Sequence, residues 1–122
     1  MIDSYENHNL IVTSGRQRMA ELLTGISSSY ITHIGVGTGT DAADISDTGL
    51  IDQVLIPISS ATAENKIAHF NFLIGTDAAN GLQITEFGLF AGDGTMFSHR
   101  VRTGAISKES DIEIEGYWEI RF

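Results

Sequence analysis

Glycines alternate at Gly35, Gly37 and Gly39 in the stretch "HIGVGTGTDAADISDTGL", directly after the apolar "YITHI". A glycine-rich loop after a strand can cradle a phosphate when bare backbone amides at a helix start meet the anion. The spacing here is not that of a dinucleotide fingerprint, because Gly39 falls two rather than three residues after Gly37. No Lys-Ser/Thr pair follows, and Asp41, Asp44 and Asp47 would repel a phosphate. The same aspartates offer oxygens to a calcium ion, but their three-residue spacing is not that of an EF-hand and no bidentate glutamate closes the loop. Asp and Ser are ordinary turn and cap formers, so the stretch reads as a corner, with Ser46 or Asp47 capping a turn at "TGLID".

The histidines are His8, His33, His69 and His99. None has a second His or a Glu four residues on, the close spacing a zinc site draws on. His69 and His99 fall in strand-like stretches and are candidate cross-strand neighbours, with Glu86 between them. A hydrolase would need both rings and a carboxylate to converge in one cleft. No serine sits in a Gly-x-Ser-x-Gly elbow, and the absence of cysteine removes thiolate catalysis, disulfides and cysteine-ligated zinc. Glu113 and Glu115 fall on the polar side of a strand, where solvated acids are the default. Tyr5, Tyr30 and Tyr117 are candidates for a sugar-binding platform. The residues thus argue for a structural or interaction module, with no catalytic, metal or cofactor site.

Seven basic residues against sixteen acidic ones give 122 residues a formal charge of −9, a field that repels nucleic acid. The basic pairs Arg16/Arg18 and Arg100/Arg102 are too small to reverse it. No apolar run is long enough to span a membrane. The first residues, "MIDSYENHNLIV", are acidic where an export signal would be basic, so the expectation is a protein made and kept in the cytoplasm until it is assembled. The length suits one domain.

These residues must be positioned by a β-rich scaffold. Residues 1–13 read as an arm, with "NLIVT" a candidate short strand, and residues 14–122 as a single domain. "SGRQRMAELLTG" predicts the one helix, with Ser14 and Gln17 as a capping box, Met19, Leu22 and Leu23 at helical spacing, and Gly25 as the stop. Thereafter the period is two. "QVLIPIS" places Val54, Ile56 and Ile58 on one face, and Pro57 marks an edge or bulge. "KIAHFNFLI" places Ala68, Phe70, Phe72 and Ile74 on one face. "LQITEFGLF" and "TMFSHRV" are joined by a hairpin at Asp93-Gly94, a pair in which both residues favour positive φ. In "DIEIEGYWEIRF", Ile112, Ile114, Trp118, Ile120 and Phe122 alternate with a polar face, as in an antiparallel sheet with one wet side. The fold class is mainly β, an antiparallel two-layer sandwich or open barrel of five or six strands, with one N-terminal α-helix.

Three stretches, "SGRQRMAELLTG", "ITHIGVGTGTDAADISDTGLIDQV" and "ITEFGLFAGDGTMFSHR", resemble in order and spacing the small tail proteins and tail-collar fibre modules of tailed bacteriophages and prophages. The resemblance runs from about residue 9 to the end. It is carried by Leu22, Leu23 and Gly25; Val36, Gly37 and Gly39; Asp47, Thr48 and Leu50; Asp52 and Val54; Ile84, Glu86, Gly88, Leu89 and Phe90; Asp93, Gly94 and Thr95; and Trp118, Ile120 and Phe122. It implies a non-enzymatic structural part of a virion tail, acting as a collar, baseplate or fibre-attachment adaptor. No shaft follows Phe122, so the chain looks like the adaptor module alone. The implied partners are other tail or baseplate proteins and further copies of the chain, as a trimer or hexamer, with no nucleic acid and no membrane insertion. Expected contact residues are Tyr5, Asn7, His8 and Asn9 in the arm and Thr38, Asp41, Asp44 and Asp47 in the acidic loop, together with the exposed face of the last strand. A carbohydrate-binding module touching the host surface is the alternative.

Overall fold

Alternation of apolar and polar residues sets the two sheets. The computed structural model describes residues 10–122, in which eight strands and one helix follow the order β1 (Leu10–Ile11), α1 (Thr13–Thr24), β2 (Ile31–Gly37), β3 (Val54–Pro57), β4 (Ser60–Glu64), β5 (Ile67–Ile74), β6 (Gln83–Ala91), β7 (Met96–Ser107) and β8 (Ile114–Arg121). A five-stranded sheet has the order β1-β7-β6-β2-β3 and a three-stranded sheet the order β4-β5-β8. Every pairing is antiparallel. The protein is mainly β, and its two sheets enclose a shared core of Ile34, Val36, Phe72, Ile74, Ile84, Leu89, Trp118 and Ile120. Among the described residues no helix is long and apolar enough to cross a membrane.

The periodic strands form as their patterns require. Phe70, Phe72 and Ile74 are buried on β5, and β8 buries Trp118 and Ile120 while Glu115, Tyr117 and Arg121 face solvent. Ile112 and Phe122 lie just outside β8, where alternation no longer dictates burial, and both are exposed. Pro57 sits in β3, the edge strand of its sheet, where a missing amide removes no ladder bond from the interior. Seven strands follow the helix rather than five or six. The additional one, β4, has the sequence "SATAE", is exposed throughout and carries no alternation to reveal it. Its partner β5 holds it over five residue pairs from Ser60–Asn71 to Glu64–Ile67.

The helix is capped two residues before the expected Ser14, and without a side-chain cap. Val12 is the N-cap residue, fully buried, and its amide donates to Phe97 O. Ser14 Oγ is drawn off to Met96 O at 2.7 Å, and Gln17 Nε2 donates to Glu21 Oε2. Contact with β7 outcompetes the capping box. A Cβ on Gly15 would come within 2.1 Å of Phe97 O, so this helical turn lies directly on the strand backbone. Gly25 ends the helix at φ 77°, as expected. Leu23, by contrast, faces away from the sheet and is 83% exposed.

The β6–β7 hairpin also differs from its expected form. Only Gly94 has positive φ, at 92°, while Asp93 does not. Gly94 N–H donates to Ala91 O and Ala91 N–H to Thr95 O. This is a type I turn followed by a left-handed glycine, the three-residue alternative to the two-residue turn. Asp93 is used instead as an acceptor for Thr95 N–H and for the Arg18 guanidinium, at 2.6 Å. Arg18 also donates to Glu21 and to Ser29 O, and so ties α1 to the hairpin.

Candidate functional site

The alternating glycines find their purpose on the outer face of the five-stranded sheet. Gly35 and Gly37 in β2 stand opposite Gly88 and Glu86 in β6. With no side chains there, β2 and Gly88 form a shallow floor. A Cβ on Gly35 would lie 2.5 Å from the Phe90 ring, and one on Gly37 would lie 2.6 Å from both Glu86 Oε2 and Ile51 O. The space is filled by Phe90, Leu50 and the Glu86 carboxylate. Phe90, Val12 and Met96 form a second small core here, with Leu50 packed against it.

Two irregularities in β6 and β7 aim polar side chains at this face. Between Leu89–Ser98 and Phe90–Met96 the strand β7 carries one additional residue, Phe97. Met96 belongs to the outer core and Phe97 to the inner one, so the bulge resets the alternation and His99 emerges on the outer side. Between Ile84 and Glu86 the register shifts again. Ile84 remains in the inner core, while the adjacent Thr85 and Glu86 both turn to the loop.

There they clamp Gly39. Thr85 Oγ1 donates to Gly39 O at 2.6 Å, and Gly39 N–H donates to Glu86 Oε2 at 2.8 Å. The same Oε2 accepts Ile51 N–H at 2.8 Å, so both ends of the loop between β2 and β3 close on one carboxylate. The glycine loop does cradle an anion, and the anion is the chain's own Glu86. The other Glu86 oxygen, Oε1, lies 2.8 Å from His99 Nε2, and His99 Nδ1 lies 2.6 Å from Asp47 Oδ2. Glu86 is 3% exposed and His99 5% exposed. A buried carboxylate requires such partners, since its desolvation is otherwise costly.

Of the expected contact residues, Tyr5, Asn7, His8 and Asn9 lie outside the described residues. Thr38 donates its hydroxyl to Asp52 at 2.9 Å, and Asp41 is exposed. Asp44 organises a turn: its carboxylate accepts the hydroxyl of Ser46, then its amide, which holds it below the usual carboxylate range. Its own amide donates to Asp47 Oδ2. The 44–47 segment is thus built by aspartate turn chemistry, as its composition indicates, while Asp47 also reaches inward to His99. Among the described residues no three His, Cys, Asp or Glu side chains are grouped to hold a metal ion.

His69 and His99 do not meet, because they belong to different sheets. The expected Glu86–His99 neighbourhood forms; the His69 part does not. His69 bonds Glu119 at 2.9 Å and Asn71 at 3.1 Å, and stacks on Tyr117 with ring centroids 4.9 Å apart. The Glu119 carboxylate, then Asn71, raises the His69 pKa, and His69 in turn lowers that of Glu119. Tyr30 and Tyr117 are also on separate faces: Tyr30 borders a groove beside α1, whereas Tyr117 lies on the outer side of the three-stranded sheet.

No protein-family model, curated protein or solved structure matches this chain.

A further surface feature is apolar. A groove of about 270 Å³ runs between α1 and the inner face of the three-stranded sheet, lined by residues including Met19, Leu22, Phe97, Ile120, Tyr30 and Phe122. Tyr30 and Phe122 are 65% and 67% exposed. Leu23 and Ile26, next to Leu22 along the chain, are 83% and 79% exposed.

Proposed function

We propose that the chain is a non-enzymatic structural component of a phage or prophage tail, a collar, baseplate or fibre-attachment adaptor that assembles with copies of itself and with other tail proteins. The observation that carries this reading is the uncovered apolar groove beside α1 and its exposed neighbours on a chain of net charge −9. Contiguous apolar surface on an otherwise charged protein favours association. The occupant is a second copy: Leu23 and Ile26 of one subunit enter the groove beside Leu22 of the next, a head-to-tail contact that closes into a ring. Symmetric repetition then multiplies weak contacts, as a ring of three or six subunits requires. The resemblance to tail-collar modules rests on the same stretches that build α1, the glycine loop and the β6–β7 hairpin. Glu86, His99 and Asp47 converge on one another and hold a loop in place.

The test is the paired change Leu23→Glu and Ile26→Glu, at two exposed positions. Sedimentation should show the native chain associating and the variant monomeric, with the circular-dichroism spectrum of the folded β chain retained. A variant that associates like the native chain would overturn this choice of face.

A second reading is favoured by one feature. The exposed Tyr117 ring stacks on His69 beside a shallow depression of about 370 Å³ lined by Thr62, Glu64, Asn71 and Glu119. An aromatic face beside planar polar groups suits a sugar ring. Glycan binding that is lost in Tyr117→Ala would support the carbohydrate-binding alternative.

A further inference from the structure

We propose that Glu86, His99 and Asp47 form a proton-controlled latch. It holds the outer part of the loop over residues 38–53 on the sheet while the His99 ring carries two protons, and releases that part when one is lost. Donors and acceptors decide it, whatever face the chain assembles through. Both ring nitrogens face carboxylate oxygens, at 2.6 and 2.8 Å. Ionised carboxylates only accept, and a neutral imidazole has a single N–H. The two contacts are therefore satisfied together by the imidazolium. Once a proton leaves, one nitrogen lone pair faces a carboxylate oxygen.

Burial decides which contact fails. The Glu86 side chain is 4% exposed, and its second oxygen is fixed by the amides of Gly39 and Ile51. The Asp47 side chain is 27% exposed and can turn to water. Deprotonation thus frees Asp47 and leaves Glu86 bonded. Asp47 Oδ2 also accepts Asp44 N–H, and Ile45 O accepts Thr13 N–H at the start of α1, so these two amides report on the latch. The ends of the loop remain closed on Glu86.

No other charge among the described residues takes over these contacts. From β6 the ring faces Glu86, and from the loop it faces Asp47. β1 offers only the uncharged Leu10 opposite His99. Arg18 on α1 is held by Glu21 and Asp93, while Arg100 follows on β7 opposite Phe87. Asp44 binds Ser46 and Asp52 binds Thr38.

The test follows amide hydrogen exchange in the full chain from about pH 5 to about pH 9, corrected for intrinsic rates, with the His99 ring observed by NMR. Protection of the Thr13 and Asp44 amides should fall about tenfold or more as the ring loses a proton, while Gly39 and Ile51 keep theirs. In Asp47→Asn the side-chain amide can donate to the unprotonated nitrogen, so Thr13 protection should no longer depend on pH, whereas the Asp44 amide loses its acceptor when the NH2 takes that place. Constant protection of Thr13 and Asp44 across the range in the native chain overturns the latch, whatever the state of the ring. So does a pH dependence of Thr13 protection that survives Asp47→Asn.

Discussion

Glu86 Oε1 lies 2.8 Å from His99 Nε2 on the outer face of the five-stranded sheet, with both side chains almost wholly out of solvent. The pair fastens a loop to a sheet face that glycines have cleared of side chains. The alternating glycines, the lone acid of "ITEFGLFA" and the histidine of "MFSHRV" thus belong to one arrangement, although they come from three separate strands.

Removing the carboxylate should be costly. Glu86→Ala leaves two amides and one ring nitrogen without their acceptor, and breaking a buried charged pair by deleting one partner typically costs about 3–5 kcal/mol. Denaturant unfolding should show a loss of this size, whereas Glu113→Ala on the exposed side of the chain should change stability by less than about 0.5 kcal/mol.

The glycine floor should not tolerate a methyl group. In Gly37→Ala the new Cβ would meet Ile51 O at 2.6 Å and Leu50 Cβ at 2.8 Å as well as Glu86. Overpacking of this kind costs about 1–3 kcal/mol. Gly49→Ala, whose nearest neighbour would be Gln53 Oε1 at 3.4 Å, should be much milder when the two are compared by thermal melting.

His69 should give stability a component that is lost with rising pH. Its folded pKa is raised by Glu119, so the stabilisation is fully present below the unfolded value of about 6.5 and disappears as pH rises through the folded value. Glu119→Gln should move the His69 titration downward in NMR spectra and flatten this part of the pH–stability profile.

Asp93 has the opposite sign. The Arg18 guanidinium, with help from the Thr95 amide, holds its carboxyl far below the usual range. Its contribution is present above the unfolded carboxylate value of about 3.9 and is lost only as pH falls through the depressed folded value. Asp93→Asn should therefore melt lower than the native chain at neutral pH, with the gap closing in strong acid.

The periodic elements were readable because burial on one side imposes a period on side chains: β5, β8 and the α1 stop at Gly25 form where their patterns place them. β4 was not, because "SATAE" is held by backbone pairing to β5 and buries nothing. The Glu86–His99 contact is legible only in part, because the sequence suggests Glu86 between His69 and His99, and those two histidines lie in different sheets. Asp47 was hidden because its partner lies 52 residues away and the intervening strands contain bulges. Alternation cannot foresee that Thr85 and Glu86 turn to the same side. Nor could the capping-box pattern reveal that Ser14 would prefer Met96 O, which depends on how closely Gly15 lets the helix approach β7.

Assembly through the apolar face beside α1 is the proposed role of this chain. Its most direct test is the solution mass of the native chain by light scattering over about a hundredfold range of concentration. A species of three or six times the mass of one chain should persist on dilution or form cooperatively as concentration rises. A mass of one chain throughout the range would contradict it.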